Sequence, residues 1–289
     1  MPRDIYRGQL LLGWMAVLLV LHQADLESGL ADEKVSISTA QKEKHDVRFH
    51  TVTSPYQAGE TQIRVLLPRE RKPEEKLRVL YVLPVEAGNG QRWGDPVAEI
   101  VKHDLHNQHH LICVFPTFST LPWYADHPSD PTIRQESYFT NVVVPVVEQT
   151  YPADATPDGR LLAGFSKSGY GAYSLLLRHP ELFSKAAAWD APLMVAQPNQ
   201  YGMGPIFGTQ ENFEKYRVTS LLKNRAPLLQ KTPRLILAGY GGFQEQHIAA
   251  HALMDELKIK HLYRDGPKRE HSWNSGWLPE AVGLLLESP

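Results

Sequence analysis

The sequence predicts an α/β fold, a doubly wound and mostly parallel sheet with antiparallel edge strands at the N-terminal side. Three observations carry this. From Leu77 onward, short apolar runs of strand length alternate with amphipathic segments of helical length. The strand-like runs are apolar almost throughout, as strands covered on both faces are. The stretch "RLLAGFSKSGYGAYSLLLRHP" passes from a strand pattern into a helix pattern at a cluster of small residues: Gly164, Ser166, Ser168, Gly169 and Gly171.

The elements follow in chain order. Arg3 and Arg7 precede an apolar run from Leu10 to Leu21, and small residues at Gly29 and Ala31 suit cleavage. An apolar core of about a dozen residues fits a signal peptide over 1–31 and a secreted or periplasmic protein with no stable membrane insertion after processing. An uncleaved membrane anchor is the alternative. Residues 32–45 read as a polar linker, and 46–289 as one domain. Within it "VRFHTVTS" and "TQIRVLLP" form the antiparallel edge pair, separated by a Pro/Gly turn. The strands "LRVLYVLP", "LICVFPTF", "RLLAGFS", "KAAAWDAP", "RLILAGY" and "KHLYRDGP" then alternate with helices such as "DPVAEIVKHDLHNQ", "FQEQHIAAHALMDELKIK" and "LPEAVGLLLE". The segment "SYFTNVVVPVVEQTY" is the weakest helix, because Pro145 breaks its ladder and Val142 to Val147 is strongly β-branched.

Composition narrows the function. The 289 residues carry a formal net charge of −2, so no basic field points to nucleic acid or an anionic membrane. The single cysteine, Cys113, excludes an intramolecular disulfide and reads as a small buried hydrophobe.

Ligands of a doubly wound sheet gather beyond the C-terminal ends of its strands, and Ser166 lies at such an end. A serine between small residues at a strand-to-helix turn matches a nucleophile elbow, which lifts one hydroxyl clear of the backbone. Serine needs a general base, and His271 in "YRDGPKREHSWNSGW" stands on the loop between the last strand and the last helix. Trp273 and Trp277 flank it.

Gly-x-Ser-x-Ser-Gly, "YGAYSLLLRHPELF" and the terminal "HSW…W" together resemble the esterase-D-like branch of the α/β-hydrolase superfamily. That branch includes S-formylglutathione hydrolases, feruloyl and acetyl-xylan esterases and the secreted mycolyltransferases. The similarity runs from about Ile63 to the C-terminus. It implies an α/β-hydrolase fold, a Ser–acid–His triad and an acyl-enzyme. It also implies an oxyanion hole built from backbone amides at Val85 or Glu86 and at Lys167. Where relatives carry His-Gly, this chain has Pro84-Val85-Glu86-Ala87-Gly88, and Lys167 replaces a more usual apolar residue.

The acid is the third departure. Relatives place an Asp shortly after the strand that here reads "RLILAG", and this chain gives Gly241-Gly242. Glu245, three residues on, has the Gly-x-Gly-x-x-x-Glu spacing of the secreted mycolyltransferases and is the first choice. Asp190, at the end of "AAAWD", is the alternative acid. Glu245 also suits the first turn of a helix with no catalytic role.

Trp123, Tyr124 and Trp273 are candidates for the walls of a substrate pocket. His247 and His251 share a helical face at i, i+4, but no zincin glutamate accompanies them, so the face reads as helix surface. His103, His106, His109 and His110 likewise read as a polar face. No metal and no cofactor is implied. The expectation is an exported serine hydrolase cleaving a small-molecule or carbohydrate ester. A non-catalytic binding protein, or an acyltransferase using an acceptor alcohol, is the alternative.

Overall fold

The computed structural model describes residues 35–287, so the signal-peptide expectation lies outside the described residues. The strands are β1 (Ser36–Ile37), β2 (Gln41–Lys42), β3 (Arg48–Thr53), β4 (Thr61–Leu66), β5 (Val79–Val82), β6 (Ile112–Pro116), β7 (Arg160–Phe165), β8 (Lys185–Trp189), β9 (Leu235–Tyr240) and β10 (His261–Lys268). They form one sheet in the order β1-β3-β4-β6-β5-β7-β8-β9-β10, with β2 also on β3. From β6 through β10 every pairing is parallel, while β4 runs antiparallel to both β3 and β6. The expected antiparallel edge is present and wider than predicted, because β1 and β2 both pair with β3. Within the stretch expected as a polar linker, Ser36–Ile37 and Gln41–Lys42 are therefore edge strand. Apart from Ile37 these strand residues are polar and exposed, which suits an outermost edge, where unpaired backbone is safest when flanked by charge.

The helices are α1 (Pro96–Lys102), α2 (Leu105–Gln108), α3 (Gln135–Tyr138), α4 (Val144–Thr150), α5 (Ser166–Arg178), α6 (Gly204–Phe207), α7 (Gln210–Tyr216), α8 (Val218–Arg225), α9 (Gln244–Glu256) and α10 (Leu278–Leu286). Strand alternation sorts the core into two layers. Leu80, Val82, Leu161 and Ala163 face a cluster containing Val97 and Ile100 of α1 and Leu285 of α10. Tyr81 and Leu162 face the opposite cluster, with Val147 of α4 and Tyr173 and Leu176 of α5. Because β5 and β7 are covered on both sides, every residue in them is buried, which explains their unbroken apolar runs. Cys113 is wholly buried in β6, and burial pushes its thiol pKa up, away from reactivity.

Two helices depart from expectation for identifiable reasons. The segment 95–108 is split by Asp104, whose φ of 49° is left-handed. The segment around Pro145 is not broken but relaxed: Phe139–Val143 forms a π turn, in which the Val144 N–H bonds to Phe139 O five residues back. That wider turn gives the proline ring room beside the carbonyls of the preceding turn. Among the described residues, no helix is long and apolar enough to cross a membrane.

Candidate active site

The parallel order reverses direction around β5, and the side chains of interest collect beyond the C-terminal ends of β5, β7 and β8. Ser166 follows Phe165, the last residue of β7, and opens α5 with φ = 52°. A positive φ at a non-glycine residue is strained, of order 1–2 kcal/mol, and is held only where surroundings dictate it. Here two devices dictate it. The Ser168 hydroxyl accepts from the Phe165 N–H at 3.0 Å and donates to the Phe165 carbonyl at 2.9 Å, tying the turn on itself. Gly164 makes room for the first turn of α5, since a Cβ there would lie 2.4 Å from the Ser168 backbone. Ser166 itself is 7% exposed. Among the described residues its hydroxyl makes no hydrogen bond.

Asp190 ends the neighbouring strand in the same way. It follows Trp189 of β8, has φ = 41°, and its carbonyl accepts from the Ser166 N–H at 3.1 Å, so the two strained turns are hydrogen-bonded together. Its carboxylate is fully buried and accepts from three donors. His271 Nδ1 lies 2.6 Å from Oδ2, the Gly242 amide 2.9 Å from Oδ2, and the Phe243 amide 2.6 Å from Oδ1. Burial pushes this carboxyl up, but the His271 bond and the loop amides outweigh it and hold the pKa below the usual carboxylate value.

The carboxylate found on His271 differs from the first choice made from sequence. Asp190, not Glu245, bonds to His271. Glu245 is exposed in the first turn of α9, where its charge complements the helix N-terminus. The Gly241-Gly242 pair that stands where relatives carry their acid is the cradle of Asp190. A Cβ on Gly241 would sit 2.5 Å from Asp190 Oδ2.

His271 is gripped by aromatic rings. Phe165 lies 5.0 Å and Trp93 5.1 Å from it between centroids, both edge-on, with Phe243 at 5.9 Å. Its loop is pinned to the Trp93 loop, because Trp93 O accepts from the Trp273 amide at 2.7 Å and from the Ser272 hydroxyl at 3.1 Å.

The amides of Val85, Glu86 and Lys167 make no hydrogen bond among the described residues, which leaves them free to donate. The acidic side chain of Glu86 turns along its own loop, where Oε2 accepts from the Trp93 amide at 3.4 Å. Burial lowers the Lys167 pKa, an effect that Glu86 opposes and Arg92 reinforces.

The residues expected as pocket walls are more buried than that expectation suggests. Trp123, Tyr124 and Trp273 are core residues with at most 2% exposure. Gln135 Oε1 accepts from both the Trp123 and Tyr124 amides, at 2.8 and 2.9 Å, and folds that segment inward. Tyr124 then donates its hydroxyl to Pro84 O at 2.6 Å, bracing the loop that carries Val85 and Glu86. Trp273 packs edge-on against Phe165 at 4.9 Å and stacks on Trp277. His247, expected on the helix surface, is buried. Its Nε2 accepts from the Ala191 amide at 2.8 Å, steadying the residue after Asp190. Trp93 and the amides of Gly242 and Phe243 gave no sequence signal as site residues.

Residues 54–258 match the family described as "Putative esterase", and the chain belongs to that family, which places it among the carboxylic ester hydrolases. It resembles the S-formylglutathione hydrolase of Agrobacterium tumefaciens at 16% identity, with a TM-score of 0.64 over 86% of this chain and 97% of that one. A ferulic acid esterase aligns at 19% identity and a TM-score of 0.63, covering 87% and 96%. A fluorophosphonate-binding serine hydrolase of Staphylococcus aureus aligns at 16% identity and 0.66, covering 87% and 100%. These likenesses confirm the α/β-hydrolase fold. No curated protein matches in sequence.

Proposed function

We propose that this esterase works through Ser166, His271 and Asp190, and that it is exported. Ser166 Oγ attacks the ester carbonyl while His271 Nε2 takes its proton. Asp190 keeps the Nδ1 proton of His271 in place and stabilises the imidazolium. The tetrahedral oxyanion is met by the amides of Lys167 and of Val85 or Glu86. His271 then protonates the departing alcohol, and water repeats the sequence on the acyl-enzyme. The reading rests above all on the 2.6 Å bond between His271 Nδ1 and Asp190, whose backbone also holds the strained Ser166.

Steady-state hydrolysis of nitrophenyl acyl esters tests it. Ser166→Ala should lower turnover on the order of a million-fold with an unchanged melting curve; retention of a tenth of the activity would exclude Ser166 as nucleophile. A small-molecule or carbohydrate ester remains the proposed substrate class. Export is supported by the Arg3/Arg7 and Leu10–Leu21 pattern. N-terminal sequencing of secreted protein should begin near Asp32, and intact Met1 in the membrane fraction would overturn this.

A further inference from the structure

The end of α9 remote from Asp190 carries ionisable side chains that the ester chemistry does not use. His251 and Asp255 stand one turn apart on α9, and His261 opens β10, the outermost strand on that side. One ligand atom from each lies within 4.8 Å of the others. We propose that His251, Asp255 and His261 bind a single divalent transition-metal ion of the Zn²⁺ class and so clamp the edge strand β10 to α9.

The first support is the protonation pattern. His261 Nδ1 lies 2.9 Å from Ile259 O, which can only accept, so the proton is on Nδ1 and Nε2 presents a lone pair. A ring nitrogen fixed by a backbone carbonyl is the usual outer support of a metal-bound histidine. That lone pair points at His251, whose Nδ1 is 2.8 Å away.

Distances are the second support. Ligand atoms bonded to Zn²⁺ at about 2.0–2.1 Å in a tetrahedron lie about 3.4 Å apart. The His251 Nδ1 to His261 Nε2 separation of 2.8 Å and the His261 Nε2 to Asp255 Oδ1 separation of 4.0 Å straddle that value. Asp255 is exposed and free to close the gap, while the two imidazoles are held. The His261 side chain is 4% exposed, and His251 stacks on Tyr263 with centroids 4.1 Å apart. A neutral His251 accommodates the ion by moving its proton from Nδ1 to Nε2 through water. Water then accepts from the Nε2 proton, Asp255 is left to bind the ion through a carboxylate oxygen, and no net proton is lost.

Two nitrogens and one carboxylate oxygen suit Zn²⁺, Ni²⁺ or Cu²⁺, not the oxygen-seeking Ca²⁺ or Mg²⁺. Water completes the coordination shell.

The test is calorimetric titration of the chelator-treated full chain with ZnCl₂, together with its melting curve. The expected result is one ion per chain at micromolar affinity or tighter, with Tm raised by several degrees. His251→Gln and His261→Gln should each weaken binding at least about tenfold, and His103→Gln should not. Asp255→Asn, at an exposed position, should weaken binding while leaving the metal-free Tm unchanged, which guards against misfolded histidine variants. Ester turnover should persist in the chelated protein. Millimolar binding, binding undiminished in these variants, or turnover that disappears with the ion would each overturn the proposal.

Discussion

Replacing Asp190 by Asn removes one charge at nearly constant volume. Asp190 Oδ2 accepts from both His271 Nδ1 and the Gly242 amide, and Oδ1 accepts from the Phe243 amide. An asparagine has one accepting oxygen. Whichever way it turns, its NH₂ group meets at least one of those donors. If the oxygen keeps Phe243, the NH₂ faces His271, which relieves the conflict only by moving its own proton to Nε2. That tautomer cannot take a proton from Ser166. A loss of about ten-thousand-fold in kcat follows, equivalent to about 5 kcal/mol of transition-state stabilisation. Loss of the charge-assisted bonds should also lower stability by about 2–4 kcal/mol. Glu245→Gln, at an exposed helix start, should change kcat less than about twofold and stability by less than about 1 kcal/mol. Nitrophenyl ester kinetics and denaturant unfolding of both variants measure the two effects side by side. An Asp190→Asn variant retaining more than a tenth of kcat, or a Glu245→Gln variant losing more than tenfold, would refute this assignment of the acid.

Other outcomes follow from the same geometry. Tyr124→Phe leaves Pro84 O without its hydrogen bond, so Tm should fall by a few degrees and kcat about tenfold at nearly constant KM; an unchanged kcat would separate Tyr124 from the oxyanion loop. Ser168→Ala leaves the buried Phe165 N–H unsatisfied and should cost about 1–3 kcal/mol in urea unfolding, with far less effect on turnover than Ser166→Ala. His247 is buried as the neutral imidazole, with its pKa lowered from 6.5 to about 4 by desolvation despite the nearby Asp190. Its contribution is therefore complete above pH 6.5 and is lost as pH falls to about 4, a change on the order of 3 kcal/mol. His247→Gln should flatten the stability profile in that window, and a profile as steep as the parent's would contradict the burial argument. Glu136, despite burial, is held at about 2 by His179 and Arg178, so its stabilisation fades at lower pH, from 4.5 downward.

The strands and their alternation with helices were legible because burial on both faces of a parallel sheet writes itself as contiguous apolar runs. The positions of Ser166 and His271 at the strand ends were legible for a related reason: a sharp turn demands small neighbours, and the chain order fixes which loop returns there. The acid was not. Spacing along "GYGGFQE" reads the chain locally, whereas the carboxylate site is assembled across the ends of β8 and β9. There two amides and a missing Cβ, none of them visible as side chains, decide which carboxylate is held. Trp123 and Tyr124 misled because an aromatic pair after a strand reads equally as wall or core; the choice was made by Gln135, a polar side chain about a dozen residues on. His247 was misread because the hydrophobic period of α9 is weak, so its inner face carries a histidine satisfied by one backbone amide. Pro145 was tolerated through a change of helix type that residue patterns do not announce.

The central claim is that Ser166 is activated by the His271–Asp190 pair. Labelling the purified chain with a fluorophosphonate and locating the adduct by peptide mass spectrometry tests it most directly, because phosphonylation requires an activated hydroxyl and no knowledge of the substrate. One adduct per chain on Ser166, absent from Ser166→Ala and greatly slowed in His271→Ala and Asp190→Asn, is the outcome this geometry demands. No labelling of the folded protein, labelling on Ser168, or labelling of Ser166 at an undiminished rate without His271 would contradict it.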